Sequence, residues 1–169
     1  YLQNKTWQNS GTINLTDGQL YLFGYDPANT TYPYTPTQNA PQLQNVSGGV
    51  INVFTRDQTG PIYGYSSSSR SFGIVNGNAQ LTNNQGATIN WNASLYGSLY
   101  APYASIVNSQ NFAFDNAGTV NIVDSIELNN IGNSFYGQDS GIYNIAAGKT
   151  LFIYGQNRTI NLPGAIIGA

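Results

Sequence analysis

Residues 88–95 read Thr-Ile-Asn-Trp-Asn-Ala-Ser-Leu, and their alternation constrains the chain more than any other feature. At period two, Ile89, Trp91, Ala93 and Leu95 fall on one face, and Thr88, Asn90, Asn92 and Ser94 fall on the other. This is the pattern of a half-buried β-strand with a dry side and a wet side. The wet side is built of amides and hydroxyls, and the whole run from Ser71 to Phe114 contains no Asp, Glu, Lys or Arg.

Similar short runs fill much of the chain. Stretches at 20–25, 50–55, 62–65, 72–75, 112–114, 119–128, 150–154 and 159–162 are rich in Ile, Val, Tyr, Phe and Thr, which suit a pleated surface. Turn signals separate them, among them Asp17-Gly18, Asp26-Pro27, Gly60-Pro61, Asn76-Gly77, Gly132-Asn133 and Gly148-Lys149. About nine short strands at this spacing predict an all-β fold, an Ig-like or pilin-like β-sandwich. Four stretches share the order Thr, β-branched, Asn, apolar: Thr12–Leu15, Thr88–Trp91, Thr119–Ile122 and Thr159–Leu162. Their Thr-to-Thr spacings of 76, 31 and 40 residues have no fixed period, which leaves a β-helix as the alternative fold.

The first fifteen residues read as a separate element. Tyr1, Trp7, Ile13 and Leu15 fall on odd positions, with Gln8, Asn14 and Thr16 on the even face. An extended arm with spaced apolar teeth can fill the groove of a neighbouring subunit, or it can be the first strand of its own domain. Strand donation caps an open sheet edge, and a head-to-tail contact that does not close gives a filament. The expected division is a donor arm at 1–15 and a β-sandwich domain at 16–169.

Composition excludes several chemistries. Histidine and cysteine are absent, so there is no Ser-His-Asp or Cys-His site, no disulfide and no zinc centre built on those ligands. Charged residues make up 7% of the chain against roughly a quarter in an ordinary soluble protein. The net charge of −2, with no basic patch, speaks against a nucleic-acid partner. The single Glu, Glu127, and scattered Asp residues do not suggest the paired carboxylates of a glycosidase. The expectation is a protein with no enzymatic activity, no metal and no cofactor. No stretch reaches the ~20 consecutive apolar residues of a membrane span.

Six sequons point outside the cell: Asn4-Lys5-Thr6, Asn14-Leu15-Thr16, Asn29-Thr30-Thr31, Asn45-Val46-Ser47, Asn92-Ala93-Ser94 and Asn157-Arg158-Thr159. With 23 Asn and 28 Ser plus Thr in 169 residues, chance predicts about four. The excess is modest, but the sites are spread over the chain and Asn92 lies on the expected wet face. Covalent N-glycans are therefore expected. The sequence contains no Met, even at position 1, which fits a secreted chain whose signal peptide has been removed. Amides and hydroxyls do not titrate, so a surface made of them is indifferent to pH and suits an acidic or otherwise harsh exterior.

A β-rich chain without Cys, His or Met, studded with sequons and rich in Asn, Tyr, Ser and Thr, resembles the surface-filament subunits of thermoacidophilic archaea, in particular the subunit of the archaeal thread. The resemblance lies in the character of the whole chain and in no diagnostic motif. It implies a heavily glycosylated pilus-like filament whose identical subunits are joined by donor-strand complementation, with the donated tail at Tyr1 to about Leu15. It also implies a role in adhesion or biofilm formation. Pilins and adhesins of this kind form spontaneous isopeptide bonds, for which Lys149 with Glu127 is the candidate here, against an exposed Lys149 in its turn. A secreted carbohydrate-binding module, with its 13 Tyr and two Trp as a stacking platform, and a virion coat protein are the competing readings.

Overall fold

The computed structural model describes residues 2–3, 5–15, 22–23, 41–54, 79–92, 104–107, 112–123, 125–129, 137–153, 158–160 and 165–168. Within them every regular element is a strand. In chain order, β1 (Leu2–Gln3) precedes a first coil of β2 (Thr6–Asn9) and β3 (Thr12–Leu15), and β4 (Leu22–Phe23) follows. The second coil holds β5 (Gln42–Asn45) and β6 (Val50–Phe54). The third holds β7 (Ala79–Asn83), β8 (Thr88–Asn92) and β9 (Ala104–Val107). The fourth holds β10 (Phe112–Asn116), β11 (Thr119–Ile122) and β12 (Ile126–Asn129). The fifth holds β13 (Gly137–Asp139), β14 (Ile142–Ile145) and β15 (Leu151–Ile153), and the sixth β16 (Arg158–Ile160) and β17 (Ala165–Gly168).

Each coil adds one strand to each of two long sheets. The first sheet runs β16-β13-β10-β7-β5-β2 and the second β17-β14-β11-β8-β6-β3, while β15-β12-β9 forms a third. Every described pair is parallel, so the chain stacks successive coils along one axis. The all-β expectation holds. The antiparallel pairing of an Ig-like sandwich is not what these strands adopt, because neighbours in each sheet come from successive coils and run the same way. The arrangement is that of the β-helix alternative.

Register places like over like. In the second sheet, Ile13, Ile51, Ile89, Val120, Tyr143 and Ile166 form one column, and Leu15, Val53, Trp91, Ile122, Ile145 and Gly168 another. In the first sheet, Trp7, Leu43, Leu81 and Phe114 stack. The central members of all three columns are buried and make up the core. Each buried Leu, Ile or Val contributes about 1.5–3 kcal/mol by leaving water, and a slip of one residue would turn a whole column outward.

The expected strands at 20–25, 50–55, 88–95, 112–114, 150–154 and 159–162 overlap β4, β6, β8, β10, β15 and β16. The single strand expected at 119–128 is two, β11 and β12, which lie in different sheets. β5, β7, β9, β13, β14 and β17 were not foreseen. The expected strands at 62–65 and 72–75 lie outside the described residues.

Candidate functional site

Five of the six strands of the first sheet end on an amide or a carboxylate that sits inside. Asn9, Asn45, Asn83, Asn116, Asp139 and Ile160 share one column, and the four Asn and Asp139 are buried. Asn9 Nδ2 donates to Asn45 Oδ1 at 2.8 Å, Asn45 Nδ2 to Asn83 Oδ1 at 2.9 Å, and Asn83 Nδ2 to Asn116 Oδ1 at 2.9 Å. The same nitrogens also donate to backbone carbonyls across the turn, at Val50 (3.2 Å), Thr88 (3.0 Å) and Thr119 (3.1 Å). Coils ~4.8 Å apart hold identical primary amides at hydrogen-bonding distance, as they hold the backbone. Asp139 continues the column and accepts from the Tyr143 hydroxyl at 2.6 Å.

Behind Asn9, Asn45, Asn83, Asn116 and Asp139 the chain turns sharply into the second sheet, and at several of these turns only glycine fits. Gly118 closes one such connection: a Cβ there would lie 2.5 Å from the carbonyl oxygens of both Ala87 and Asn84. Gly48, with φ of 82°, donates its N–H to Gly86 O at 2.9 Å and so joins the turns of neighbouring coils.

A second amide ladder lies on the outer face of the second sheet. Asn14, Asn52, Asn90, Asn121 and Asn144 stack in register. Here the direction is reversed, because each nitrogen reaches back to the preceding coil. Asn52 Nδ2 donates to Asn14 Oδ1 at 2.8 Å, Asn90 to Asn52 at 2.8 Å, Asn121 to Asn90 at 2.7 Å and Asn144 to Asn121 at 2.9 Å. These amides are half-buried or exposed. The row beside them, Thr12, Val50, Thr88, Thr119 and Ile142, is β-branched throughout. Charge is sparse on both sheets: Asp115 accepts from Gln80 Nε2 at 2.8 Å and from the Gln138 backbone N–H at 2.9 Å.

The first coil is where these columns stop. Trp7 occupies the position above Leu43, Leu81 and Phe114 but is 40% exposed, whereas Leu43 and Leu81 are 0%. The Lys5, Asn9 and Gly11 carbonyls accept from Gln42, Val46 and Val50 in the second coil at 2.9, 3.0 and 2.8 Å. Alternate residues of a strand turn their polar groups to opposite sides. Thr6, Gln8, Thr12 and Asn14 therefore direct their backbone N–H and C=O away from the second coil, to an edge that no described strand covers.

The sites expected from sequence separate accordingly. Asn14 is exposed and uses its oxygen, not its nitrogen, in the ladder, and Asn92 is exposed at the end of β8. Asn45 is a correction: it is 0% exposed and its amide is engaged on both atoms, which leaves no room for a glycan in the folded chain. Asn4, Asn29, Asn157 and Tyr1 lie outside the described residues. Trp7, Ile13 and Leu15, expected on a donated arm, belong to strands that pair with β5 and β6 of their own chain. Residues 6–15 thus form a first coil that pairs in register with the second. Lys149 is exposed beside the turn at Gly148, not buried as isopeptide chemistry requires, and Glu127 lies on β12.

The inner amides and the turn glycines were missed. Their signal was present as Asn9-Ser10-Gly11, Asn116-Ala117-Gly118 and Asp139-Ser140-Gly141, a repeated Asx followed two residues later by Gly. Among the described residues no group of three or more His, Cys, Asp or Glu could hold a metal ion, and no helix is long and apolar enough to cross a membrane. No protein-family model, no curated protein and no solved structure matches the chain.

Proposed function

We propose that this chain is a structural, non-enzymatic subunit of an extracellular, N-glycosylated surface filament, polymerised head-to-tail from identical copies and serving adhesion. The observation that carries the reading is the first coil. It holds an indole 40% exposed above a dry column and two strand edges uncovered by any described strand. Parallel edges of this kind recruit further strands, and coils that repeat along one axis offer the same contact at each end, which gives an open polymer. The sparse charge and the accessible Asn14 and Asn92 support an exterior location, where glycans and amides take over the solubilising role of ions.

Electron microscopy of the purified chain, together with sedimentation over a range of concentrations, tests this. Thin unbranched filaments one subunit wide are expected. Discrete monomers at every concentration would refute it.

A further inference from the structure

The edge of the first coil has a matching edge in the same molecule. We propose that the sixth coil of a second copy, its β16 and β17, seats on β2 and β3 and continues both long sheets across the junction. This deepens the filament reading and rests on it. Five coil-to-coil contacts within one chain already set the geometry, since every strand of both sheets pairs in parallel with the next.

Extending the observed columns gives the register. The first-sheet columns carry Trp7 to the position of Arg158, Gln8 to Thr159 and Asn9 to Ile160. The second-sheet columns carry Thr12 to Ala165, Ile13 to Ile166, Asn14 to Ile167 and Leu15 to Gly168. By the alternation that points Thr6, Gln8, Thr12 and Asn14 outward, the sixth coil turns the backbone of Arg158, Ile160, Ile166 and Gly168 away from the fifth, to a side that no described strand covers. The two edges therefore present complementary donors and acceptors. Shape agrees as well: among the described residues a Cβ built on Gly168 meets nothing within 4 Å, and this gap ends the column at whose other end Leu15 is only half-buried. A second copy brings Leu15 to that gap and covers Trp7.

The junction differs from an interior contact in one respect. The outer ladder reaches Ile167, which is 52% exposed and has no amide, so no Asn–Asn bond crosses between copies. The filament comes apart at its junctions before its coils unfold.

Two sets of variants test the mode of contact. Gln8→Pro with Thr12→Pro removes two N–H groups that face the open edge, and proline is tolerated on an outermost strand whose N–H faces solvent. The double variant should keep the circular dichroism of the parent and lose its polymer. If it polymerises like the parent, the edge contact is wrong while the filament reading stands. If the parent itself never polymerises, that reading falls too. Should the proline variant fail to fold, a second pair decides. The chain has no cysteine, so Gln8→Cys with Thr159→Cys can form a disulfide only through those two positions. Within one molecule they lie five coils apart, roughly 24 Å, beyond disulfide reach, whereas neighbouring strands across the junction lie within it. A non-reducing gel should show a ladder of covalent multimers that collapses on reduction. Monomer alone, from a parent that polymerises, would overturn the register.

Discussion

The two asparagine ladders are built from the same residue at the same spacing, yet they run in opposite directions and stand in different solvents. Inside, Asn45 and Asn83 each donate twice, along the column and across the turn, and both are 0% exposed. Outside, Asn52, Asn90 and Asn121 make a single chain of amide bonds with water beside them. An exposed hydrogen bond exchanges with one to water and is worth about 0.5–1.5 kcal/mol. A buried amide that loses its partner has no such exchange and forfeits its desolvation cost. The inner ladder therefore holds the turns in place, and the outer one chiefly makes a regular surface.

Matched substitutions measure that difference. Asn83→Asp keeps the size of the side chain but turns an oxygen toward Asn116 Oδ1 and the Thr119 carbonyl, where a nitrogen donated. The expected loss is about 3 kcal/mol or more at neutral pH, from two orphaned acceptors and a buried charge. The acid would be raised above its usual range by burial among carbonyls. A raised folded-state pKa means that stability is greatest below the unfolded value of ~3.9 and falls as pH rises through it. Urea unfolding of the variant at pH 3 and pH 7 checks this: it should recover part of its stability in acid, and equal losses at both would contradict the account.

Gly118→Ala tests the turn that the inner ladder supports. Its Cβ would press on the Ala87 and Asn84 carbonyl oxygens, both 2.5 Å away, with Asn83 Nδ2 at 2.8 Å. Overpacking of this kind costs about 1–3 kcal/mol, read as a fall in the urea midpoint. Gly11→Ala is the control, because a Cβ there meets nothing within 4 Å among the described residues.

Asn90→Asp repeats the first substitution on the outer face. It loses the donation to Asn52 Oδ1 at 2.8 Å but still accepts from Asn121. The expected cost is about 1 kcal/mol or less, measured by the same unfolding curves. A loss as large as that of Asn83→Asp would mean that the outer ladder is structural after all.

Much of this comparison was visible in the sequence as fragments. The stretches Thr12–Leu15, Thr88–Trp91 and Thr119–Ile122 do lie in one sheet, and their shared Asn is the outer ladder. The spacing of 76 residues hid two coils of 38, because the strand between them begins with Val50 where the others have Thr. The later coils close in 31, 23 and 23 residues, so the loops vary while the strands do not. Thr159–Leu162 matched by composition alone, since Thr159 pairs in the other sheet. A search for a fixed period fails on such a chain, because β-strand stacking constrains only the few residues in each column. The inner ladder was harder to find. A fully buried asparagine is uncommon, and Asn45 looked like a glycan acceptor until its column partners were known.

The smallest expected effect is that of acid on the unmodified chain. Most bonds that join coil to coil are made by backbone amides and by Asn and Gln side chains, which do not titrate; the carboxylate of Asp115, which accepts from Gln80 and from the Gln138 N–H, is an exception. Thermal stability should stay nearly constant between roughly pH 2 and 7. Asp139 is a buried carboxylate, accepting from Tyr143 in the column that four asparagines begin and Ile160 ends. Melting curves of the parent and of Asp139→Asn across that range check this. If both midpoints stay in place, the amide columns carry the fold; a steep fall of either toward pH 2 would contradict the account.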